Sequence, residues 1–335
     1  MRDRMDFLKR AKGKTWIFLA LILLSILPNV LRSQPYVLHV IIMTFVYVAL
    51  AQAWNIIGGY AGQLSFANHI FFAIGAYTST MLLIHLSLSP WVGLLAGITI
   101  AAFIAYLLGF QLFHLKGHYF AVATIAFAEI VKLVFLNWRG VGAAYGLSLP
   151  LKMPSLYFVM WRSKVPYYYL FLCVAIMSTI LVYTTDRSKA GMYLRSIKQD
   201  EDGVEHKGIN TRYYKLIAFM ISAGICALVG TFYAHYVLYI DPRSTMDIMI
   251  STKCILIVLF GGLGTVAGPV LGAAILVPLG EYTRIKLGGG GQGWDYILYG
   301  FIILIIVLYK PSGVYDIVRS YKENVRKMSR GYDSK

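Results

Sequence analysis

Charged side chains are scarce in this sequence, and that scarcity sets the class of protein. They make up 14% of the 335 residues, whereas hydrophobic residues make up 58%. A water-soluble domain of this length could not hide so much apolar surface, so a soluble globular fold is excluded. Apolar stretches near the roughly 20 residues that cross a bilayer recur between positions 15 and 309. We therefore predict an all-α, polytopic bundle of transmembrane helices.

Catalytic and cofactor motifs are also missing. The sequence contains no His-Glu-x-x-His and no Gly-x-Ser-x-Gly, and its seven histidines are scattered. Gly13-Lys14-Thr15 resembles the end of a phosphate-binding loop, but Leu8 stands where the first glycine should be. The three cysteines lie inside apolar segments, which indicates neither a disulfide framework nor a metal site. We predict a chain that is not an enzyme and holds no metal or cofactor.

Basic residues give the chain a formal charge of +16 without indicating a nucleic-acid partner. They collect in 2–14, 187–215 and 319–335, between or beside apolar segments, rather than along one soluble face. The positive-inside rule places all three regions in the cytoplasm. Both termini are then cytoplasmic, and the number of crossings is even.

The apolar runs predict about ten crossings, within a range of eight to ten. The domains are a basic segment 1–14, a transmembrane domain 15–310 that contains a cytoplasmic loop 186–213, and a basic tail 311–335. A signal peptide is the alternative for the first run, but no small-x-small cleavage site follows it. The predicted crossings are 16–31, 36–57, 66–86, 91–113, 119–136, 167–185, 214–239, two elements within 248–283, and 294–309.

Two glycine-rich motifs follow inward-going helices and resemble each other. Gly58, Gly59 and Gly62 belong to the first, and the second is formed by Gly261, Gly262 and Gly264. A parallel internal repeat would explain the likeness, and repeat interfaces near the midplane are where many transporters bind substrate. Glycines that merely let helices pack closely are an equal alternative.

Polar residues crowd the stretch that follows the first motif, which includes Gln63, Ser65, Asn68 and His69. One interpretation is a helix break in the protein interior, where freed backbone groups could meet a polar substrate. The alternative is a simple cytoplasmic turn.

Glu129 and Lys132 are the ionisable residues that lie deepest in a predicted crossing. Because they are three apart on one helix, they share a face and can neutralise each other. A structural ion pair is one interpretation. The other is that Glu129 lines a polar pathway, since charges inside a membrane are costly and usually functional.

Four motifs in order resemble the branched-chain amino acid permeases of bacterial ABC importers. They are Gly-Gly-Tyr-Ala-Gly-Gln-Leu-Ser at 58–65, Phe-Phe-Ala-Ile-Gly-Ala-Tyr at 71–77, Ala-Phe-Ala-Glu-Ile at 126–130, and Gly-Gly-Leu-Gly-Thr-Val-Ala-Gly-Pro-Val-Leu-Gly at 261–272. The resemblance covers most of the chain.

The resemblance also implies a coupling helix, which docks on the ATPase, within the loop 186–213. Gly203-Val204 replaces the usual Ala-Ala, and the polar His206-Lys207 replaces apolar positions, so this helix should be more polar than most. The physical requirement is a small-faced helix that ends at a turn-permissive glycine. The residues assigned to it are Glu201, Asp202, Gly203, Val204, Glu205, Gly208 and Ile209.

By the same resemblance, the chain is a permease subunit of the bacterial inner membrane that works by alternating access. Its expected partners are a second homologous permease, two ABC ATPase subunits, a periplasmic or lipid-anchored substrate-binding protein, and membrane lipid. Branched-chain or other small hydrophobic amino acids are the expected substrates. A urea or short-amide importer is the close alternative, and an ion-coupled secondary transporter is the rival of a different class.

Overall fold

The computed structural model describes residues 24–28, 31–115, 117–150, 152–286, 300–301 and 313–316. Nearly all regular structure within these ranges is helical, as the composition predicts. The helices are α1 Pro35–Trp54, α2 Asn68–Leu86, α3 Pro90–Leu112, α4 His118–Asn137, α5 Lys164–Arg187, α6 Lys189–Gln199, α7 Glu201–His206, α8 Thr211–Val237, α9 Pro242–Thr245, α10 Ile248–Gly261 and α11 Gly268–Lys286.

Seven of the described segments are long and apolar enough to cross a membrane. They coincide with the predicted crossings, and the predicted break within 248–283 is confirmed because α10 ends at Gly261 and α11 begins at Gly268. The segment 1–14 lies outside the described residues, as do most of 16–31, 294–309 and the tail 311–335. The total of about ten crossings and the internal repeat therefore stay predictions. The candidate spans are Pro35–Tyr60, Asn68–Leu86, Pro90–Leu112, His118–Asn137, Lys164–Arg187, Thr211–Val237 and Pro242–Gly261.

Local sequence signals set where several helices begin. Pro35 and Pro90 stand at the first helical positions of α1 and α3, where a missing backbone N–H costs nothing. Asn210 opens α8, since its side-chain oxygen accepts a hydrogen bond from the backbone N–H of Tyr213 at 3.0 Å. The helices then continue because lipid offers their backbone groups no other partner.

The core of the bundle is the close contact of α2 with α8. Gly75 lies directly against Ala227, and Gly230 lies against Phe72. The hydroxyl of Thr231 donates to the carbonyl of Gly75 at 3.1 Å. Small residues let the two backbones approach, which is how helices associate where no hydrophobic effect drives them together. Helices α3 and α1 pack against the same α8, and α5 and α11 pack on α1.

Helix α4 is packed least. Only 22% of its apolar 18-residue stretch is buried in the protein, compared with 67% of the corresponding stretches of α2 and α8. A cleft of about 690 Å³ separates much of α4 from α2 and α3, and its lining is almost wholly apolar. The outer face of α4 is therefore left for lipid or for another protein.

A short antiparallel strand pair closes one end of the bundle. Strand β1, Leu147–Ser148, pairs with β2, Tyr239–Ile240, in the register Leu147 opposite Ile240. This is a small departure from the predicted all-α fold. We call this end the β end and the other, where α6 and α7 lie, the α6–α7 end.

Replacement of Gly230 by alanine tests the close packing of α2 on α8. A β-carbon at 230 would lie 1.8 Å from the carbonyl oxygen of Phe72, so the helices would have to separate. We expect Gly230→Ala to cost about 1–3 kcal/mol of stability and to lower the unfolding temperature in detergent. Gly224→Ala on the same helix is the control, because its new β-carbon would meet only Ile98 at 3.5 Å. Equal unfolding temperatures for the two variants would contradict this packing.

Candidate functional site

The first glycine motif forms an irregular end to the helix α1. Residues Asn55–Tyr60 make one turn of π-helix, and all six residues are buried. Gly58 lies on the ring of Trp54, where a β-carbon would come within 2.5 Å of ring atoms. Such single π-turns are frequent at functional sites.

After this turn the chain continues as an irregular segment, 61–67. Ser65 is fully buried, and its carbonyl accepts a hydrogen bond from the indole N–H of Trp54 at 2.7 Å. The next helix, α2, begins with Asn68 beside Cys226, about 22 Å along α8 from its first residue. The chain therefore regains regular helix inside the bundle, while Gly62 and Leu64 of the connecting segment are exposed.

The two glycine motifs meet at the α6–α7 end, and Asn55 holds them together. Its amide donates to the carbonyl of Thr265 at 2.9 Å, and its oxygen accepts from the backbone N–H of Gly264 at 3.0 Å. One turn earlier, Gln52 donates to the carbonyl of Val266 at 2.7 Å. Both amides are fully buried. They give the irregular loop between α10 and α11 the hydrogen bonds that lipid cannot supply.

A second polar cluster surrounds the start of α2. The ring Nδ1 of His69 lies 2.9 Å from the hydroxyl of Ser251, which also donates to the carbonyl of Phe66 at 3.0 Å. Nε2 of His69 and the side-chain oxygen of Asn68 are buried with no hydrogen-bond partner among the described residues. Unsatisfied polar atoms at this depth are costly, which marks the cluster as a polar site within the membrane span.

The predicted coupling segment consists of two short helices, α6 and α7, joined by one residue. Asp200 ends α6 and caps α7, accepting from the N–H of Gly203 at 3.0 Å. At the C-terminal end of α7, Gly208 adopts φ +80°, and its backbone N–H donates to the backbone carbonyl of Glu205 at 2.8 Å. Ile209 donates to Val204, which completes a Schellman cap. Gly208 therefore ends α7 in the left-handed conformation that favours glycine.

The acidic residues of α7 fold back onto the start of α8. Glu201 forms an ion pair with Lys215 at 2.5 Å, and the Lys215 side chain is only 2% exposed. The hydroxyl of Thr211 donates to Glu201 and Glu205. Lys215 also lies 5.4 Å from the centre of the Phe113 ring. Two of the seven predicted coupling residues therefore attach α7 to the bundle.

Helix α6 contacts the π-turn of α1 at two points. The guanidinium of Arg195, which is paired with Asp186, lies 5.3 Å from the centre of the Tyr60 ring. The ammonium of Lys198 donates to the carbonyl of Gly59 at 2.9 Å. Partial burial lowers the pKa of Lys198. The coupling segment thus touches the interrupted helix directly.

Glu129 lies apart from the glycine motifs. It forms the predicted pair with Lys132 at 3.6 Å, but its side chain is 45% exposed. In hydrocarbon this position would be costly even for a paired charge.

The comparison with known proteins agrees with this architecture. The sequence model of the family described as the branched-chain amino acid transport system permease component matches residues 36–307. The chain belongs to this family. It is therefore a multi-pass membrane permease subunit, and the matched region includes every helix from α2 to α11.

Proteins that are similar in sequence to this permease are named for different substrates. It is 26% identical over 301 residues, 83% of this chain and 69% of the other, to the high-affinity branched-chain amino acid permease LivM of Escherichia coli K12. It is 22% identical over 315 residues, 91% and 87% of the two chains, to the autoinducer 2 import permease LsrC of Salmonella paratyphi B. A third, the fructose import permease FrcC of Rhizobium meliloti, is 25% identical over 139 residues, 40% and 38% of the chains. No solved structure matches the permease.

Sequence reasoning found the glycines of the site and missed the residues that organise them. The glycine motifs come together at the α6–α7 end, and their members are the glycines at 58, 59, 62, 261, 262 and 264. Ser65, Asn68 and His69 lie deeper in the bundle, in the polar cluster at the start of α2. Gln52 and Asn55 were not selected, although two amides three apart in an apolar helix are a signal of buried polar contacts. Nothing local distinguishes Lys198 or Ser251, because their partners are 139 and 182 residues away.

Substitution of Asn55 by leucine tests the junction of the two motifs. Leucine has a similar volume but leaves the buried carbonyl of Thr265 and N–H of Gly264 unpaired, so we expect Asn55→Leu to cost about 2–4 kcal/mol. Asn137→Leu is the control, since that amide is exposed and bonds only the preceding turn of its own helix. Thermal unfolding in detergent measures both. If Asn55→Leu unfolds at the temperature of the control, the junction does not stabilise the bundle.

Proposed function

We propose that this permease moves branched-chain amino acids, leucine, isoleucine and valine, into the cell by alternating access. The family and the LivM relatives support a substrate of this class. The segment Gly-Ile-Asn-Thr-Arg-Tyr-Tyr-Lys-Leu at 208–216 also resembles the branched-chain branch more than the urea branch. Because relatives are named for fructose and autoinducer 2, the shared scaffold does not by itself select the cargo. A binding protein would supply most of the selectivity.

The proposed assembly contains this chain, a second homologous permease, two ABC ATPase subunits, and a periplasmic or lipid-anchored binding protein. A separate ATPase is required because the sequence carries no phosphate-binding loop of its own. The basic residues around α6 and α7 support a cytoplasmic position for that end and for both termini.

The observation that carries the proposal is the contact of α6 and α7 with the base of the interrupted helix. A movement of these short helices by a docked ATPase would act directly on α1, where the two glycine motifs meet. The docking face of α7 would be polar, since Asp202, Glu205 and His206 are exposed and Val204 is turned inward at 6% exposure.

The translocation pathway would run along the inner polar residues and the charged face of α4. Gln63, Ser65, Asn68 and His69 offer hydrogen-bonding groups within the span, and unwound backbone at that depth is typical of transporter binding sites. Glu129 would face the junction with the second permease, because its exposed carboxylate is unsuited to lipid.

Uptake measurements test the substrate. In cells that lack the gene, we expect uptake of labelled leucine to fall and to return when the gene is restored, while urea uptake stays unchanged. The assay is initial-rate uptake at low substrate concentration, with excess isoleucine and valine as competitors. Loss of urea uptake alone would favour the alternative importer. Undiminished uptake of both would remove both substrates, and activity of the purified chain without an ATPase would favour an ion-coupled transporter.

Thiol labelling tests whether Glu129 faces water. In a variant whose three native cysteines are replaced, Glu129→Cys should react with a charged, membrane-impermeant thiol reagent in the assembled importer, because a thiol is deprotonated and reactive only in water. Leu95→Cys is the control, since Leu95 is an exposed apolar side chain on α3 and should stay unlabelled in lipid. Equal protection of the two cysteines would exclude Glu129 from a hydrated pathway.

A further inference from the structure

Lys198 connects the coupling segment, α6 and α7, with the interrupted helix α1. The local sequence around Lys198 does not indicate this contact. It lies in the last turn of α6, and its ammonium donates to the carbonyl of Gly59 at 2.9 Å. A β-carbon built at Gly264 would lie 3.9 Å from the same nitrogen. One cation therefore reaches the point where both glycine motifs meet.

The end of the π-turn needs such a partner. A helix that stops leaves its last carbonyls without backbone donors and carries a partial negative charge there. Gly59 is buried, so its carbonyl is less accessible to water than the carbonyls of an ordinary exposed helix end. A lysine ammonium meets both requirements at once, because it donates hydrogen bonds and is positive.

Gly62 makes room for the lysine stem. It has φ +72°, and a β-carbon there would lie 2.9 Å from Cγ of Lys198. A side chain at 62 would therefore displace the lysine. The structure gives Gly62 a role beyond turning the chain, since its bare backbone is the surface on which Lys198 lies.

The connection continues to α7 without a flexible linker. Asp200 alone separates α6 from α7 and forms the cap of the second helix. Leu194 and Ile197 are buried and hold α6 on the bundle at 2% and 3% exposure. A displacement of α7 therefore has a short path to Lys198.

We propose that Lys198 is the positioning residue through which movement of α6 and α7 is passed to the interrupted helix and its glycine junction. It contacts no substrate. Its bond to Gly59 makes the geometry of the π-turn depend on the position of the coupling segment. This proposal rests on the function proposed above, because it requires an ATPase that moves α7.

The test compares ATP hydrolysis with uptake in the importer reconstituted from the full chain and its cognate subunits. Lys198→Met keeps the stem and removes the donor and the charge, so we expect uptake to fall about tenfold with no matching fall in ATP hydrolysis. Lys198→Arg keeps a cation and should restore part of the uptake. Lys189→Met is the matched control, because Lys189 is exposed as Lys198 is but lies in the first turn of the same helix, at the end away from Gly59.

Hydrogen exchange gives a readout that does not depend on transport. In Lys198→Met, backbone amides of 59–65 should exchange faster than in the parent and in Lys189→Met, while those of α10 stay unchanged. If Lys198→Met does not assemble, Lys198→Gln, which is too short to reach Gly59, takes its place in both assays.

Three outcomes would overturn the proposal: unchanged uptake in Lys198→Met, uptake and hydrolysis that fall in equal proportion, or unchanged exchange at 59–65. Absence of ATP-dependent uptake in the parent importer would instead be a failure of the proposed function. The hydrogen-exchange result would still decide whether Lys198 fixes the π-turn.

Discussion

A backbone polar group inside a membrane must find its partner within the protein, and this constraint governs the interrupted helix α1. The chain leaves regular helix at Asn55 and regains it at Asn68, within the bundle. Side-chain hydrogen bonds hold its irregular parts: Trp54 bonds the nearby Ser65, and Lys198 bonds the end of the π-turn. Asn55 and Gln52 bond the loop after α10 in turn. The break is therefore a fixed structure.

The same hydrogen bonds join parts of the molecule that have different tasks. Asn55 joins two helices that end at the α6–α7 end, α1 and α10, at their glycine motifs. Lys198 joins that junction to α6, and the buried pair of Lys215 with Glu201 joins α7 to α8. Because α8 is also the helix on which α2 and α3 pack, the coupling segment contacts both the irregular and the rigid parts of the bundle. One side of the predicted ATPase-docking loop therefore contacts the bundle, and the other side exposes polar side chains.

The sequence was enough to predict the helical spans, because apolar runs of membrane length have few alternatives. It also indicated the break after Gly261 and the pairing of Glu129 with Lys132, since glycine clusters and three-residue spacing act locally. It could not show that the two glycine motifs touch, because Asn55 and Thr265 are 210 residues apart. Nor could it choose between a turn and an interior break at 58–69, because that depends on where α8 places Cys226 beside Asn68. The strand pair was missed for a similar reason: two residues per strand leave no readable pattern.

The long separation between Asn55 and its partners has a consequence for biogenesis. When α1 leaves the ribosome and enters the bilayer, the segment that accepts and donates its amide hydrogen bonds has not been synthesised. The buried amide of Asn55 therefore gains its native partners only after translation has passed Thr265, when most of the bundle has already been made.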